Sequence, residues 1–419
     1  MKDSELFEII NEEHERQLNH IELIASENYV SQDVLNAVGS CVINKYAEGY
    51  PGKRYYGGCE YIDKLESLAI ERAKKLFDVS YVNVQPHSGT QANLSVLSAL
   101  CPLHGKILSL SLNSGGHLTH GTTLSLSGKL FDTFHYSVDK ETGYLNLDEI
   151  EKIANIVRPN LIICGASAYS RDWDYKRFRD IANNHNAILM ADIAHPAGLI
   201  ACHKLNSPFE YCHVVTTTTH KTLRGARGGM IMMKNDFQDP LKRKKINGDI
   251  KMVSDILNSS VFPGNQGGPL ENMIAGKAVA FYEALSQEYH DYIDKVCNNA
   301  KYFASLFIDN GYKISTNGTD NHLMLIDLSN KNITGLECEK LLDKVNITVN
   351  KNMIPNDPLS PLITSGIRIG TPAMTTKLFG KNEFAKTFEY IDSAIKHKDN
   401  DSILNQIKHD VISMLKTFY

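Results

Sequence analysis

Two stretches decide the fold: HVVTTTTHKTLRGARGGMIMM at His213–Met233 and AILMADIAH at Ala187–His195. Val214–Thr218, Gly229–Met233 and Ala187–Asp192 are short, nearly unbroken runs of apolar and β-branched residues. Runs of that kind read as strands buried on both faces, which is the habit of parallel sheets. Each of the first two blocks leaves its strand on polar or charged residues, Asp192 in one and His220–Lys221 in the other. Strand carboxyl ends are where open α/β sheets place ligands.

Outward from this centre the alternation continues. Ile62, Leu65, Ala69, Ala73 and Leu76 keep helical spacing, and Tyr81–Gln85 alternates like a strand. After Ser88–Gly89–Thr90, the residues Leu94, Leu97 and Leu100 restart a helix. Lys106–Leu112 and Phe131–Val138 read as strands, Ile150–Val157 as a helix, Leu161–Cys164 as a strand and Tyr175–His185 as a helix. The pattern predicts an α/β fold with a mostly parallel central sheet and helices on both faces. It changes at FPGNQGGP (Phe262–Pro269). Long helices are expected over Glu271–Gln287 and Tyr289–Ile308, with strands at His322–Leu328, Asn346–Asn350 and Ile367–Thr371. The expected organisation is an N-terminal arm and large α/β domain over 1–275, followed by a smaller C-terminal α+β domain over 276–419.

Composition removes several classes. The 419 residues are 42% hydrophobic and 22% charged, ordinary for a soluble globular chain. Lys and Arg number 44 against 48 Asp and Glu, a net charge of −4, so no basic excess draws nucleic acid or an anionic membrane. Mean hydropathy is −0.26, and the apolar runs fall far short of a span of about 20 residues. The opening Met1–Lys2–Asp3–Ser4–Glu5 carries acids where a secretory signal needs basic and then apolar residues. Eight scattered cysteines without C-x-x-C argue against a zinc cluster or disulfide framework and for a reducing cytoplasm. Lys242–Arg243–Lys244–Lys245 reads as a solvated surface run.

Three features carry chemistry. Lys221 lies between two buried strands, beside glycines and two arginines, where its amine could form a Schiff base. Asp192 ends a strand and could pair with a cationic ring nitrogen, with His195 three residues on. Ser88–Gly89–Thr90 opens a helix, whose free N–H groups suit a phosphate. Singly, each has a plainer use, as a solvated lysine, a turn cap and a helix cap. Together they are what pyridoxal phosphate requires: an amine for the aldehyde, a carboxylate for the ring nitrogen and a cradle for the phosphate. The chain contains neither G-x-x-x-x-G-K-[ST] nor a strand-linked G-x-G-x-x-G, which removes support for nucleoside triphosphates and dinucleotides.

At these residues the chain resembles the serine hydroxymethyltransferase family of fold-type-I pyridoxal phosphate enzymes. The matching blocks are HIELIASENY (20–29), NKYAEGYPGKRYYGGCEYID (44–63), VQPHSGTQAN (84–93), GGHLTHG (115–121), Asp192–His195, VVTTTTHKTLRGARGG (214–229), GTDNHL (318–323), NITVNKN (346–352) and TSGIRIGTPA (364–373). The resemblance implies that Lys221 bonds the cofactor, Asp192 holds its ring nitrogen, His195 sits by the ring hydroxyl and His117 stacks on the ring. It gives Ser88, Gly89 and Thr90 the phosphate, and adds Ser167, Thr218 and Arg227 to the cofactor site. Tyr46, Gly264 and Asn265 would reach the phosphate from a second subunit, although Asn265 stands where glycine is expected. Arg368 would take the substrate carboxylate, with Ser26 and His220 nearby, and Glu48, Tyr55 and Tyr56 would act across a dimer interface. Leu112, Gly116, His117, Leu118, Asn352, Ser360 and Pro361 match the folate site.

The implied activity interconverts L-serine and tetrahydrofolate with glycine and 5,10-methylenetetrahydrofolate, in a cytoplasmic homodimer with shared sites, a tetramer also being compatible. No metal, nucleic acid or membrane is expected. Two alternatives stand beside it: a folate-independent pyridoxal phosphate aldolase of the threonine-aldolase kind, and a regulatory protein of the same fold without catalysis. Residues near 235–251 read as an insertion relative to shorter relatives.

Overall fold

The computed structural model describes residues 3–418, which divide into two compact units. One comprises 29–139 and 144–293; the other comprises the described residues up to 28, then 140–143 and 294 onward.

The first unit holds a seven-stranded sheet. Its strands are β1 (Tyr81–Asn83), β2 (Lys106–Leu110), β3 (Asp132–Tyr136), β4 (Leu161–Cys164), β5 (Ile188–Asp192), β6 (Val214–Thr218) and β7 (Gly229–Met233), in the order β1-β7-β6-β5-β4-β2-β3. From β3 to β6 every neighbour is parallel; β7 runs antiparallel to both β6 and β1. All seven segments fall where the sequence placed strands. The central strands β4 to β7 are buried along their whole length, whereas the edge strand β3 exposes Asp132, Phe134 and His135. Helices α1 (Glu60–Phe77), α2 (Gly89–Leu100), α3 (Leu147–Val157), α4 (Tyr175–Asn184) and α5 (Glu271–Ala284) belong to this unit. Ala92, Val96 and Leu97 of α2 pack on Ile163, Met190, Val214 and Ile231 of the sheet. Burial of such side chains stabilises by roughly 1.5–3 kcal/mol each.

Sequence reading ran α5 on to Gln287. The structure breaks it at Leu285, because the Ser286 hydroxyl accepts from the Tyr289 N–H (3.2 Å) and starts the next helix, α6 (Gln287–Asp309).

The second unit has a four-stranded antiparallel sheet of β8 (Lys313–Ile314), β9 (Leu323–Asp327), β10 (Asn350–Asn352) and β11 (Gly366–Gly370), in the order β8-β9-β11-β10. Helices α7 (Gly335–Lys344), α8 (Lys381–Lys396) and α9 (Asp401–Leu415) accompany it. Phe303, Phe307, Phe384 and Phe388 meet over Met324, Ile326, Ile367 and Ile369 to form its core. The single strand read at Asn346–Asn350 is two: Ile347–Thr348 pairs in parallel with Ile21–Glu22, and β10 pairs with β11. Ser4–Asn19 is a helix with no buried residue. No helix among the described residues is long and apolar enough to cross a membrane.

Candidate active site

The chain turns from β1 into α2 through Val84–His87. Ser88 has an extended backbone, and its hydroxyl accepts from the Gln91 N–H (3.2 Å), so it caps α2. By position, the first-turn amides of Gly89 and Thr90 lack an intrahelical acceptor and sit at the positive end of the helix. The ends of β6 and β7 press directly against this turn. A Cβ on Gly89 would lie 2.7 Å from the Thr218 methyl, and one on Gly229 would overlap the Ser88 carbonyl. Only glycine allows that approach at both places.

Asp192 closes β5 and is buried. Its Oδ2 accepts from Asn93 Nδ2 (2.8 Å) and His120 Nε2 (2.9 Å), and its Oδ1 accepts from the Ala194 N–H (3.0 Å). The His117 N–H donates to His120 Nδ1 (3.4 Å), which makes His120 Nε2 the nitrogen that carries a proton toward the carboxylate. Burial opposes ionisation of Asp192, but the hydrogen bonds from His120 and Asn93 hold its carboxyl well below the usual range. A carboxylate has about four acceptor positions; these contacts use three and leave one on Oδ1. The donor atoms of His117, His120 and Asp192 lie within 4.8 Å of one another.

Beyond β6 the chain folds back on itself. The Thr219 hydroxyl donates to the Ala226 carbonyl (2.6 Å), and the Gly225 N–H donates to the Thr219 carbonyl (2.8 Å). Lys221 is buried within this loop. Thr222 Oγ1 donates to the His195 carbonyl (2.7 Å) and Thr218 Oγ1 to the Ala194 carbonyl (3.2 Å), so the loops bearing Lys221 and His195 are tied together. His220 is pushed down to about 3 by burial and by the charges of Arg227, Lys221 and Lys277. It is therefore neutral, and its Nδ1 is buried without a hydrogen-bond partner.

Beside His117 lies a mostly apolar cavity of about 330 Å³, lined by Thr90, Leu94, Leu118, Thr119, Leu124 and Leu126 among others. Gly116 and Leu112 belong to the adjoining turn, where the Gly116 N–H donates to the Ser111 carbonyl (2.9 Å). Ser167 approaches the same turn, its N–H donating to the Gly115 carbonyl (2.8 Å).

The exposed Tyr46, Tyr55 and Tyr56 gather about the half-buried Glu48. Tyr46 OH donates to Glu48 Oε1 (3.2 Å), the Tyr46 and Tyr56 rings meet edge to face at 5.2 Å, and Tyr55 packs on Phe262 at 5.7 Å. Asn265, where a glycine was expected, uses its side chain inward: Nδ2 donates to the Ser260 carbonyl (2.7 Å) and to Ser95 Oγ on α2 (3.3 Å). The preceding Gly264 sits close to the Ser259 carbonyl. Residues 238–252 fold as a small hairpin with bridges Gln238–Met252 and Lys244–Ile250, pinned by an ion pair between the buried Asp239 and the half-exposed Arg243 (2.7 Å).

The remaining residues belong to the other unit. Arg368 lies on β11, its Nε donating to Asn350 Oδ1 (3.2 Å), and burial lowers its guanidinium to about 10, which still leaves it charged at neutral pH. Ser26 follows Ala25, which packs against Gly370 at the end of the same strand. Asn352 ends β10, opposite Gly366, and Ser360–Pro361 form an exposed turn.

Sequence reading missed Asn93 and His120, the two side chains that hold Asp192. Both lie inside the quoted blocks VQPHSGTQAN and GGHLTHG, and Asn93 sits one turn along α2 from Gly89. That spacing was the available signal.

These residues fit pyridoxal phosphate. The open acceptor on a buried, ionised Asp192 suits a protonated ring nitrogen. The glycine-lined start of α2 leaves room that a Cβ would fill, and the buried amine of Lys221 lies on the loop tied to His195. The family model described as serine hydroxymethyltransferase matches residues 1–391. With that span of the 419 residues matched and the site built as above, the chain belongs to the serine hydroxymethyltransferase family, a family of pyridoxal phosphate-dependent enzymes.

Proposed function

We propose that the protein transfers the hydroxymethyl group of L-serine to tetrahydrofolate, reversibly, giving glycine and 5,10-methylenetetrahydrofolate. The observation that carries the reading is Asp192: a buried carboxylate kept ionised, with one acceptor position left at the carboxyl end of β5. When bound, the cofactor supplies an electron sink for the pair released as a bond to the amino acid's Cα breaks. Lys221 would hold the cofactor through its buried amine. Asp192 keeps the ring nitrogen protonated, which makes the sink deep. His117 and His195 would hold the ring, and Ser88, Gly89, Thr90, Ser167, Thr218 and Arg227 would hold its periphery and phosphate. Arg368 clamps the substrate carboxylate through its planar fork, with Ser26 beside it. The neutral His220 cannot compete with Lys221 for a negative partner.

Glu48 moves the proton of the serine hydroxyl or of the folate adduct, and Tyr46, Tyr55 and Tyr56 support it. Their exposure supports a homodimer in which this cluster, with Gly264 and Asn265, completes the site of the second copy. The cavity beside His117, with Leu112, Gly116 and Leu118, takes the pterin; Asn352 and the Ser360–Pro361 turn are proposed folate residues from the resemblance alone. The scattered cysteines support work in a reducing compartment such as the cytoplasm.

Borohydride reduction and peptide mass spectrometry test the central assignment. A pyridoxyl group on Lys221 is expected, and its absence there would sink the reading. Serine cleavage that needs tetrahydrofolate, with a long-wavelength band in glycine that grows when folate is added, separates this enzyme from a folate-independent aldolase. Full-rate serine cleavage without folate would favour the aldolase.

A further inference from the structure

We propose that Lys277 of α5 is a positioning residue for the phosphate end of the cofactor, its buried ammonium clamping the two strand ends that frame the Ser88–Gly89–Thr90 turn. The inference rests on the cofactor reading above and concerns a residue outside every block that pointed to it.

Lys277 is buried, and its Nζ donates to three backbone carbonyls: Val84 (2.6 Å), Gly229 (3.0 Å) and Pro86 (3.1 Å). Three acceptors around one nitrogen require three N–H groups, which only the protonated amine possesses. Val84 and Pro86 belong to the turn that carries β1 into α2, and Gly229 begins β7. The same Pro86 carbonyl accepts from the Gly229 N–H (2.9 Å), and Gly229 is packed against the Ser88 carbonyl. The ammonium therefore joins both walls of the turn from behind, one peptide away from the amides that face the phosphate. Gly228 makes the space: a Cβ there would overlap Lys277 Cε and Nζ.

Burying a charge costs free energy, and an apolar side chain of similar volume would pack this interior more cheaply. Burial pushes Lys277 down to about 7, while the carboxylate of Glu66 pushes it up. A cation kept here despite that cost adds to the positive end of α2, so an anion on the far side of the turn gains from it. Its field reaches the neighbouring side chains of His87 and His220, both of which it lowers.

The test compares pyridoxal phosphate with pyridoxal, which has the same ring and aldehyde but no phosphate. Apoenzyme of the full chain is titrated with each, for the wild type, for Lys277→Met and for Gly228→Ala, which keeps the charge but displaces it. Both variants are expected to weaken pyridoxal phosphate by about tenfold or more and pyridoxal by less than about twofold. Pyridoxal binding doubles as the control for folding. Equal weakening of both ligands, loss of both, or unchanged pyridoxal phosphate binding would overturn the role of Lys277. A wild type that binds pyridoxal phosphate no tighter than pyridoxal would instead bring down the phosphate cradle, and this inference with it.

Discussion

A carboxylate that must hold a cationic ring has to be ionised, oriented and still open at one position. Asp192 meets the three demands through different neighbours. The Ala194 N–H fixes Oδ1, and Asn93 and His120 fix Oδ2, so the position left is set by the other three. Asn93 is itself oriented, its Oδ1 accepting from Thr216 (2.6 Å) and its Nδ2 also donating to Thr119 (2.9 Å). A hydrogen bond to a charged group is worth about 1.5–3 kcal/mol. His120→Ala is thus expected to lower kcat by about 10- to 100-fold with little change in the KM for serine. His120→Asn, which retains an N–H donor, should recover part of the loss. A fall in kcat/KM caused by KM alone would exclude this positioning. Asp192 and Lys221 were legible in the sequence because one ends a strand and the other follows one by three residues. Their supports were not, because Asn93 and His120 stand 99 and 72 residues from Asp192, and only the folded sheet unites them.

Among the elements, the strands buried on both faces were the most legible, since a continuous apolar run has few other uses. The two-residue pairing of Ile21–Glu22 with Ile347–Thr348 was illegible, because neither segment has a period and the partners lie over 300 residues apart. The buried charge cluster between α1 and α5 was also hidden, since the apolar stripe of α1 gives no sign of the ion pairs beside it. Arg54 serves three carboxylates there: Glu66 (2.6 Å), Asp63 (2.8 Å) and Glu271 (3.7 Å). Its Nη1 also holds the carbonyls of Ala47 and Gly49, on either side of Glu48. One guanidinium cannot neutralise three acids, and Glu271, with neither oxygen hydrogen-bonded, is pushed up to about 8 by burial and by Glu66. Its folded value lies above its unfolded value, so the protonated form is favoured by folding. That contribution is present in acid and lost as pH rises through about 8. Glu271→Gln should remove the loss: its urea midpoint should match the wild type near pH 4, where Glu271 is protonated in both states, and exceed it at pH 9, by about 3–5 kcal/mol of stability. Parallel pH curves for the two proteins would show that Glu271 is ionised throughout.

For the molecule as a whole, the proposed reaction divides its machinery between residues that gather around Asp192 and Lys221 and an exposed cluster around Glu48. An exposed cluster of aromatic side chains about an acid gains little from facing water and much from meeting a second copy. If that copy is where Glu48 works, Lys221 and Glu48 of one chain never serve the same site. Lys221→Ala and Glu48→Gln homodimers should each be nearly inactive, the second by about 100-fold or more if Glu48 is the general acid–base group. Unfolding and refolding the two together at equal amounts should make half the dimers hybrid. In each hybrid one site inherits both substitutions and the other inherits neither. Activity should therefore return to about a quarter of the wild-type value per chain. Sites built from a single chain would leave every site defective, and the mixture would stay as inactive as its parents.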